Sequence, residues 1–379
     1  MIYWDHNSTT PCDPEVEKVM QPFWTEVFGN PASSHQNGQK AARALKSARV
    51  HVASLVNCSP NEIIFTSGAT ESNNMVFIGL LLSNKSEKQR IVTSPIEHKS
   101  ILDPAVFLSE KGYDVVYLPV TTEGVVDLDA ANKLITSDTV LVSIQTANNE
   151  IGTIQPIKEI ARIAHKAGAF FHTDAAQAIG KIPVDLETWE CDFASFSSHK
   201  IYGPKGVGAL FVAGGPRRWP WPKPFRGGGQ EGGLRPGTSN VASIVGFGEA
   251  CRLVQNRLLI DIQKLKMLTS QFNEVLKNNF PDSIIHAQFA QKIPGTISIS
   301  FKGIPADVLI SNCKEYCISS GAACNAGTIG NSHVLEQIIT DNSTIESTVR
   351  ISLGRNSKVN DLDNFVEYVK RIRSEKIAL

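Results

Sequence analysis

Two apolar runs of this chain each end on a side chain that can do chemistry. Gly168–Asp174 ends on a carboxylate, and Asp192–Lys200 ends on an amine. The β-branched and aromatic content of both runs predicts buried strands, so we expect Asp174 and Lys200 at strand ends, where open α/β sheets bind ligands. Pyridoxal phosphate needs a lysine for a Schiff base with its aldehyde and a carboxylate to keep its pyridine nitrogen protonated. Together the two residues predict a pyridoxal-phosphate site.

A phosphate-binding segment is predicted at Phe65–Asn74, where a strand is followed by small residues and the start of a helix. Small residues let backbone N–H groups approach an anion at the positive end of a helix. Thr70 adds a hydroxyl, and Ser197 and His199 could add donors from the lysine strand. The alternative is an ordinary strand–loop–helix connection with a threonine N-cap.

Three further polar residues are candidates for contacts to the pyridine ring. His98 follows a strand and could stack on the ring, although a lone histidine is more often structural. Asn149, in Asn148–Gly152, follows another strand and could hold the ring hydroxyl or a substrate carboxylate. Gln177 comes three residues after Asp174, so in a helix it would face the same ligand one turn on.

A candidate nucleophile is Cys324, which lies in the run of small residues Ser319–Gly327. Such a run has little to bury and much backbone freedom, which predicts a mobile loop with a reactive thiol. The alternative is a structural cysteine that behaves as a small hydrophobe. Cys313, Cys317 and Cys324 do not form a clean zinc-binding pattern.

A candidate anchor for a substrate carboxylate is Arg350, in an alternating strand near the C-terminus. A guanidinium that reaches into a cleft can bind a carboxylate in bidentate fashion. The alternative is an arginine on a surface strand.

The order of elements predicts an α/β fold with a mostly parallel sheet covered by helices on both faces. Amphipathic stretches such as Ile157–Ala167 separate several of the short apolar runs. The sequence does not decide whether one of the strands is antiparallel. The predicted strands are Glu62–Thr66, Arg90–Ser94, Val115–Pro119, Thr139–Gln145, Ala169–Thr173, Phe193–Ser197 and Ala209–Val212.

The second half of the chain predicts a long loop followed by a smaller α+β domain. Residues 213–238 are rich in Gly, Pro, Trp and Arg, and Trp219–Trp221 is interpreted as a partner surface. Val241–Phe280 predicts one or two long helices, and Ala306–Tyr316 predicts another. We expect a large domain at 15–250 and a small domain formed by 1–14 and 251–379, which carries the Cys324 loop.

Composition excludes several classes of function. The 379 residues contain 37 basic and 37 acidic side chains, so nothing favours nucleic acid or an anionic membrane. No apolar run approaches the length of a membrane span. The seven scattered cysteines favour free thiols in a reducing compartment, and no secretory signal is evident. These features predict a soluble cytoplasmic protein.

Taken together, these residues resemble the cysteine desulfurase family, the NifS/IscS-type enzymes of the class V aminotransferases. The resemblance covers nearly the whole chain. The segments that carry it are Tyr3–Pro11, Phe28–His35, Phe65–Ser72, Asn148–Gly152, Ser195–Gly206, Gly227–Glu231, Arg235–Thr238, Ser319–Cys324 and Arg350–Arg355. The family has the fold of type I pyridoxal-phosphate enzymes, in which a large α/β/α sheet domain is joined to a smaller α+β domain.

The resemblance implies that the chain removes sulfur from L-cysteine, giving L-alanine and a persulfide on Cys324. Lys200 would form the Schiff base and move the substrate's α-proton, and His98 would stack on the ring and carry a proton near the substrate thiol. Asn149 and Arg350 would hold the substrate. The cofactor-binding residues implied are Ala69, Thr70, His98, Asn149, Asp174, Gln177, Ser197, Ser198, His199, Lys200 and Thr238.

The resemblance also implies partners. Thr238 would reach a phosphate in the neighbouring subunit of a homodimer. A sulfur acceptor or an iron–sulfur scaffold protein would take the persulfide, with no intrinsic metal and with Cys324 as a transient iron–sulfur ligand shared with that scaffold. Two departures from many family members make the choice of acceptor an open question: Glu231 is followed by two glycines, and the chain ends at Leu379, soon after the final helix.

Alternative functions remain at this stage. A selenocysteine lyase or another class V aminotransferase-like enzyme would share the fold, and an aminotransferase would need no loop cysteine. A non-catalytic sulfur-assembly scaffold would not need to keep Lys200, Asp174 and Cys324. The acceptor could equally lead to iron–sulfur clusters, thiolated tRNA or modified DNA.

Overall fold

A seven-stranded sheet with helices on both faces forms the larger part of the molecule. The computed structural model describes residues 1–83, 89–320 and 331–377. The strands in these ranges are β1 (Ile2–Tyr3), β2 (Ile63–Thr66), β3 (Arg90–Thr93), β4 (Asp114–Tyr117), β5 (Thr139–Ser143), β6 (Phe170–Asp174), β7 (Phe193–Ser197), β8 (Gly208–Val212), β9 (Ile284–Ile285), β10 (Thr296–Ser300), β11 (Tyr316–Cys317), β12 (Ser319–Ser320) and β13 (Thr348–Ser352).

Several helices begin at a polar residue whose side chain accepts a hydrogen bond from the first turn, as N-caps do. Asp13, His98, Asp127 and Asn240 have this role. The α-helices of the described ranges are α1 (Pro14–Met20), α2 (Pro22–Thr25), α3 (Gln36–Leu55), α4 (Ala69–Leu82), α5 (Lys99–Glu110), α6 (Leu128–Leu134), α7 (Ile157–Lys166), α8 (Leu186–Trp189), α9 (Val241–Asn279), α10 (Ala306–Asn312), α11 (Asn342–Glu346) and α12 (Asp361–Ile377).

The large sheet has the strand order β2-β8-β7-β6-β5-β3-β4. Strand β8 is antiparallel to both of its neighbours, and the other pairs in the sheet are parallel. Because β2 and β7 each run opposite to β8, they run in the same direction as each other. The carboxyl ends of β2, β3, β5, β6 and β7 therefore meet at one edge of the sheet, as predicted for a mostly parallel sheet with one exception.

Both faces of the large sheet are buried, which explains why its strands read as continuous apolar runs. Ile64 and Ile91 pack against α4 and α5 on one face. Phe65 and Val92, the next residue in each strand, pack against α7 and the first half of α9 on the other face. The sheet is thus the middle layer of a three-layer α/β/α arrangement.

A second core is built around the small sheet β12-β13-β10-β9, which is antiparallel throughout. Trp4 of the N-terminal segment lies in this core with residues of α12. Helix α9 is one continuous helix of 39 residues that contributes side chains to both cores. Its Ile244–Val254 part packs on the large sheet, and its Leu268–Leu276 part packs on the small one. The predicted domain boundary at residue 250 falls inside this helix, and the division itself stays a prediction.

Two local predictions are wrong. The helix predicted at Ala306–Tyr316 ends at Asn312, because Tyr316 begins β11 and pairs in parallel with Ile2. Trp219–Trp221 is not a partner surface in the chain described, since both tryptophans are buried. The two tryptophan rings pack edge-on against each other, and Trp219 also packs edge-on against the sheet residue Phe193. Trp221 packs against Phe193 with a tilted ring.

The tryptophan pair closes the face of the sheet covered by α4. A Cβ atom on Gly79 of α4 would lie 2.5 Å from Trp219 Cζ2, so only glycine lets the loop pack this closely. The same loop is tied to β2 at Glu231, whose carboxylate accepts two hydrogen bonds of 2.7 Å from Arg49 and one of 3.0 Å from the Phe65 N–H. The loop is therefore part of the core, although its composition predicts an irregular surface segment.

We predict that Trp221→Ala lowers the free energy of unfolding by about 3 kcal/mol, because it leaves a cavity among Phe170, Phe193 and Trp219. Chemical denaturation followed by circular dichroism measures this loss. Phe289→Ala is the control: its side chain is 88% exposed, so the change should stay within about 0.5 kcal/mol. Equal losses in the two variants would contradict the burial of the loop.

Candidate active site

A cavity of about 570 Å³ opens where the carboxyl ends of the parallel strands meet. Asp174 is the last residue of β6, and Lys200 follows β7 by one short turn. The two strands are paired in parallel with Asp174 opposite Ser195. This register brings the carboxylate and the amine to the same cavity, which both residues line. The expectation that they lie at strand ends is confirmed, and the structure shows that the two strands are neighbours.

Asp174 is held by hydrogen bonds that fix its carboxylate. Its Oδ1 accepts from the Ala176 N–H at 2.9 Å, and its Oδ2 accepts from Asn73 Nδ2 at 2.7 Å. Asn73 also donates to Ser100 Oγ at 2.8 Å. The aspartate is buried and lies at the wall of the cavity, so a protonated ring nitrogen there would find an oriented carboxylate.

Lys200 is held by the N-terminal segment. Its Nζ donates to the Asn7 carbonyl at 2.6 Å and to the Ser8 carbonyl at 2.8 Å. The next residue, Thr9, accepts or donates a hydrogen bond of 3.1 Å with His199 Nδ1. A segment nearly two hundred residues away in sequence thus lines the cavity beside the lysine.

The start of α4 provides one end of the cavity. Ala69 and Thr70 are its first residues and line the cavity with Ser197 and His199, so backbone N–H groups and hydroxyls meet there. A Cβ on Gly208 would lie 2.6 Å from Gly68 Cα, so β8 packs directly under this turn. Burial, then Lys200 and other nearby lysines, lowers the pKa of His199 to about 4, which leaves a neutral imidazole at this end.

His98 is the N-cap of α5 and lines the cavity. Its Nδ1 accepts a hydrogen bond of 3.1 Å from the Ser100 N–H, so a neutral ring carries its proton on Nε2. Burial lowers the pKa of His98, with Asp174 opposing and Lys200 adding to the shift. At neutral pH the ring is therefore uncharged and can donate from Nε2.

Two buried carboxyl groups lie behind the cavity. Burial raises the pKa of Glu97 to about 8 against its hydrogen bonds from Ser94 and Gln145. Burial likewise raises the pKa of Glu150 to about 7, against the opposing effects of Ser332 and Arg350. Sequence analysis did not single out either residue, because a glutamate in a polar motif gives no sign that it will be buried.

Arg350, on β13 of the small sheet, and Asn149 line the same side of the cavity. Arg350 donates to the Asn149 carbonyl at 2.9 Å and pairs with Asp5 at 2.7 Å. It also donates to Ser8 Oγ at 2.7 Å, while its buried Nε has no hydrogen-bond partner among the described residues. The guanidinium is thus oriented by the protein, and the substrate contacts expected of both residues stay predictions.

Two of the predicted site residues that the structure describes, Ser198 and Thr238, do not line this cavity. Ser198 is buried beneath it, and its Oγ, which lacks a hydrogen-bond partner in the part of the chain described, abuts Gly203. Thr238 is exposed and lines a neighbouring cavity of about 210 Å³ with Ser67 and Gly206. Cys324 lies outside the described residues.

Gln177 is in the cavity for a different reason from the one predicted. Residues 176–181 form hydrogen-bonded turns and not a regular α-helix, so helix spacing from Asp174 does not by itself place Gln177. Gln177 Nε2 donates to the Asn7 carbonyl at 2.8 Å, and this bond holds the side chain beside Lys200. The functional roles assigned to these residues from the sequence stay predictions.

Several residues that support the site were not predicted from the sequence. Asn7, Ser8 and Thr9 line the cavity, as does Ser100. The available signal was the polar run His6–Thr10, much of which is buried, directly after the apolar Ile2–Trp4. A polar run gives no direct indication of which distant strand it will contact.

The chemistry of these residues fits pyridoxal phosphate. The start of α4 with Thr70 and Ser197 offers donors for a phosphate, and Asp174 offers a carboxylate for a ring nitrogen. Lys200 offers an amine to the same cavity. A cavity of about 570 Å³ is within the ordinary range for a small-molecule site.

The chain is similar to known proteins over nearly its whole length. A family model described as "Aminotransferase class-V" matches residues 2–365. The mitosomal cysteine desulfurase of Encephalitozoon cuniculi is 42% identical over 98% of this chain and 87% of its own length. The mitochondrial cysteine desulfurase of Candida albicans is 42% identical over 97% of this chain and 76% of its own length.

Solved structures are similar to this chain in fold over nearly its whole length. A structure entitled "NIFS-LIKE PROTEIN" has a TM-score of 0.90 and 37% identity, covering 98% of this chain and 99% of its own. A structure entitled "SspA in complex with cysteine" has a TM-score of 0.82 and 34% identity, covering 93% of this chain and 99% of its own. The resemblance to cysteine desulfurases and the expected fold of type I pyridoxal-phosphate enzymes are confirmed.

The prediction of a cytoplasmic protein is wrong. Two of the relatives, those of Encephalitozoon cuniculi and Candida albicans, are named mitosomal and mitochondrial and not cytoplasmic. Free thiols and zero net charge fit any reducing compartment, so composition could not separate an organelle from the cytoplasm.

Among the described residues, no helix has the length and apolar character that a membrane crossing requires. The same residues contain no cluster of three or more His, Cys, Asp or Glu side chains that could hold a metal ion.

We predict that Glu97 makes the protein less stable as pH rises. Its pKa is raised to about 8, so between about pH 4.5 and 8 the unfolded chain loses a proton that the folded chain keeps. The free energy of unfolding then falls with pH by at most about 1.4 kcal/mol per unit from this group. Glu97→Gln removes this contribution.

Chemical denaturation of both proteins at several pH values between 5 and 8.5 measures the difference. We expect the stability of the variant, relative to the wild type, to increase steadily with pH. Parallel curves for the two proteins would show that Glu97 ionises normally in the folded state.

Proposed function

The chain belongs to the aminotransferase class-V family, and we propose that it is a cysteine desulfurase that takes sulfur from L-cysteine with pyridoxal phosphate as cofactor. One observation carries the proposal: the parallel pairing of β6 and β7 brings Asp174 and Lys200 to one cavity that also receives the start of α4. The solved relative described as a complex with cysteine supports the choice of substrate.

Lys200 holds the cofactor, and Asp174 binds the ring nitrogen. When bound, pyridoxal phosphate acts as an electron sink for an amino acid attached to it. Ala69, Thr70, Ser197 and His199 line the end of the cavity assigned to the phosphate. Ser198 has no direct contact in this proposal, since it lies below the cavity and supports the turn on which Lys200 sits.

The residues around the substrate move protons and fix its orientation. Lys200 takes the proton from the substrate's Cα atom, and the Asn7 and Ser8 carbonyls hold its amino group for this step. His98, neutral at pH 7, carries a proton near the substrate thiol. Arg350 and Asn149 bind the substrate carboxylate from the small-domain side of the cavity.

Cys324 takes the sulfur. Its thiolate attacks the substrate sulfur, the bond between that sulfur and the substrate's Cβ breaks, and an S–S bond forms on Cys324. The carbon skeleton takes up a proton and leaves as L-alanine, so atoms and electrons balance. The persulfide passes to a sulfur acceptor or an iron–sulfur scaffold, and Cys324 is then a transient ligand to the cluster.

The enzyme works as a homodimer in this proposal. Thr238 is exposed and is separated from Lys200, so its hydroxyl is available to a second copy of the chain. Sedimentation at micromolar concentration, with and without pyridoxal phosphate, determines the mass in solution. A monomer that binds the cofactor fully would contradict this part of the proposal.

The visible absorption spectrum of the purified protein, followed by addition of L-cysteine, tests the function. We expect a yellow protein that forms L-alanine and sulfide in equal amounts when a thiol reductant is present. A colourless protein, or one that forms pyruvate and no alanine, would overturn the assignment of activity.

We predict that Cys324→Ala keeps the visible absorbance of the bound cofactor but forms alanine more than about a hundredfold more slowly, because the nucleophile is gone. Cys317→Ala is the matched control, since this partly buried cysteine pairs through its backbone on β11. It should retain most of the activity. Full turnover in Cys324→Ala would mean that the substrate sulfur leaves directly, without a persulfide.

We predict that Lys200→Ala cannot retain the cofactor covalently, because the amine that bonds to the aldehyde is removed. Borohydride reduction of the wild type followed by peptide mass mapping should find the cofactor on the peptide that contains Lys200. Lys205 lines the same cavity, so Lys205→Ala controls for the loss of any positive charge there. A label on Lys205 or on another lysine would contradict the assignment.

A further inference from the structure

Lys181 is a second lysine beside the site whose amino group has no place in the chemistry described so far. It lies on the turn after β6, is partly buried, and does not line the cavity. Its Nζ donates to Asn7 Oδ1 at 2.7 Å and to Gln177 Oε1 at 2.6 Å. Both acceptors are uncharged carboxamides. No carboxylate forms an ion pair with Lys181 in residues 1–83, 89–320 and 331–377.

The bond to Lys181 decides which end of the Gln177 carboxamide faces the cavity. A carboxamide has one acceptor oxygen and one NH₂ group with two donors, and the Lys181 amino group is the donor in its hydrogen bonds to Asn7 and Gln177. Because Oε1 is held by Lys181, Nε2 must point away from Lys181, where it donates to the Asn7 carbonyl at 2.8 Å. Gln177 lines the cavity, so its second N–H is the group available to an acceptor atom there.

The same lysine fixes Asn7. With Oδ1 on Lys181, Asn7 Nδ2 donates to the Asn149 carbonyl at 3.1 Å and to Thr296 Oγ1 at 2.9 Å. The side chain of Asn7 is thereby held at both ends and is buried. Its main-chain carbonyl is the acceptor of Lys200 Nζ at 2.6 Å. One residue therefore connects the amino group of Lys181 to that of Lys200.

We propose that Lys181 is a positioning residue: it holds the Gln177 and Asn7 oxygens so that the Gln177 NH₂ group faces the ring oxygen of pyridoxal phosphate and the Asn7 carbonyl faces Lys200. This inference rests on the proposed function, because it assumes that pyridoxal phosphate fills the cavity. Lys181 is not a catalytic residue, since Gln177 and Asn7 separate it from the cavity.

Lys181 would lower the pKa of the nitrogen that joins Lys200 to the cofactor in two ways. An N–H donated by Gln177 favours the ionised ring oxygen, and a nearby amine that can be positive disfavours a proton on the nitrogen that joins Lys200 to the cofactor. The charged and titratable groups that face Lys181 are Lys200, Arg350, His6 and His199. Burial, followed by Lys200 and Arg350, lowers the pKa of Lys181 well below its usual value, which agrees with its lack of an anionic partner.

The test is a pH titration of the visible absorbance of the holoenzyme with Lys181→Met, which keeps the length of the side chain and removes the donor. We expect the midpoint of the absorbance change to rise by about one pH unit. We also expect the dissociation constant for pyridoxal phosphate to increase. Lys181→Arg keeps donor groups at this position, so its midpoint should lie nearer to that of the wild type.

Lys292→Met is the matched control, because Lys292 is a second partly buried lysine that donates to a neutral acceptor, the His286 carbonyl, at 3.1 Å. Burial lowers its pKa to about 8, and it lies outside the cavity. This variant should lose stability but keep the absorbance midpoint. A midpoint that moves equally in both variants would show a general effect of losing a buried amine and would overturn the proposal.

A double-mutant cycle tests whether Lys181 affects the cofactor through Gln177. In a Gln177→Ala background, Lys181→Met should move the midpoint less than it does in the wild type. If Lys181→Met does not fold, Lys181→Arg and Gln177→Ala give the comparison, and equal midpoints in wild type and Gln177→Ala overturn the inference. If the wild type binds pyridoxal phosphate and forms alanine but Lys181→Met shows no shift of the midpoint, only this inference is rejected. If the wild type neither binds pyridoxal phosphate nor forms alanine, the proposed function is rejected.

Discussion

The parallel pairing of β6 with β7 is the interaction on which the rest of the site depends. Its register sets Asp174 opposite Ser195, and the chain then needs only one short turn to bring Lys200 to the same cavity. A shift of the pairing by one residue would turn the side chains of the whole strand to the other face. Both faces of this sheet are filled with apolar side chains, so such a shift would cost much of the core.

The N-terminal segment joins the two halves of the molecule at this point. Trp4 is packed in the core around the small sheet, while Asn7 and Ser8 accept hydrogen bonds from Lys200 at the edge of the large sheet. Asp5 pairs with Arg350 between them. A short polar segment therefore connects the core around the small sheet to Lys200 at the edge of the large sheet.

Burial determines the charges around the cavity more than ion pairing does. His98 and His199 have pKa values lowered first by burial, whereas those of Glu97 and Glu150 are raised first by burial. In each case the neutral form is favoured, because the low dielectric of the interior penalises a charge. The carboxyl group of Asp174 at the cavity wall is oriented by the Ala176 N–H and by Asn73, and is thereby available to a ligand.

The sequence by itself determined the family, the order of elements and the strand-end positions of Asp174 and Lys200, because apolar runs and motifs are local properties. It could not determine that Trp219 and Trp221 are buried, that Asn7 meets Lys200, or that Lys181 orients Gln177. Those contacts join residues far apart in sequence or depend on turns whose direction no local pattern encodes. Only the tertiary structure, which buries these groups together, decided their hydrogen bonds and the protonation states that burial favours.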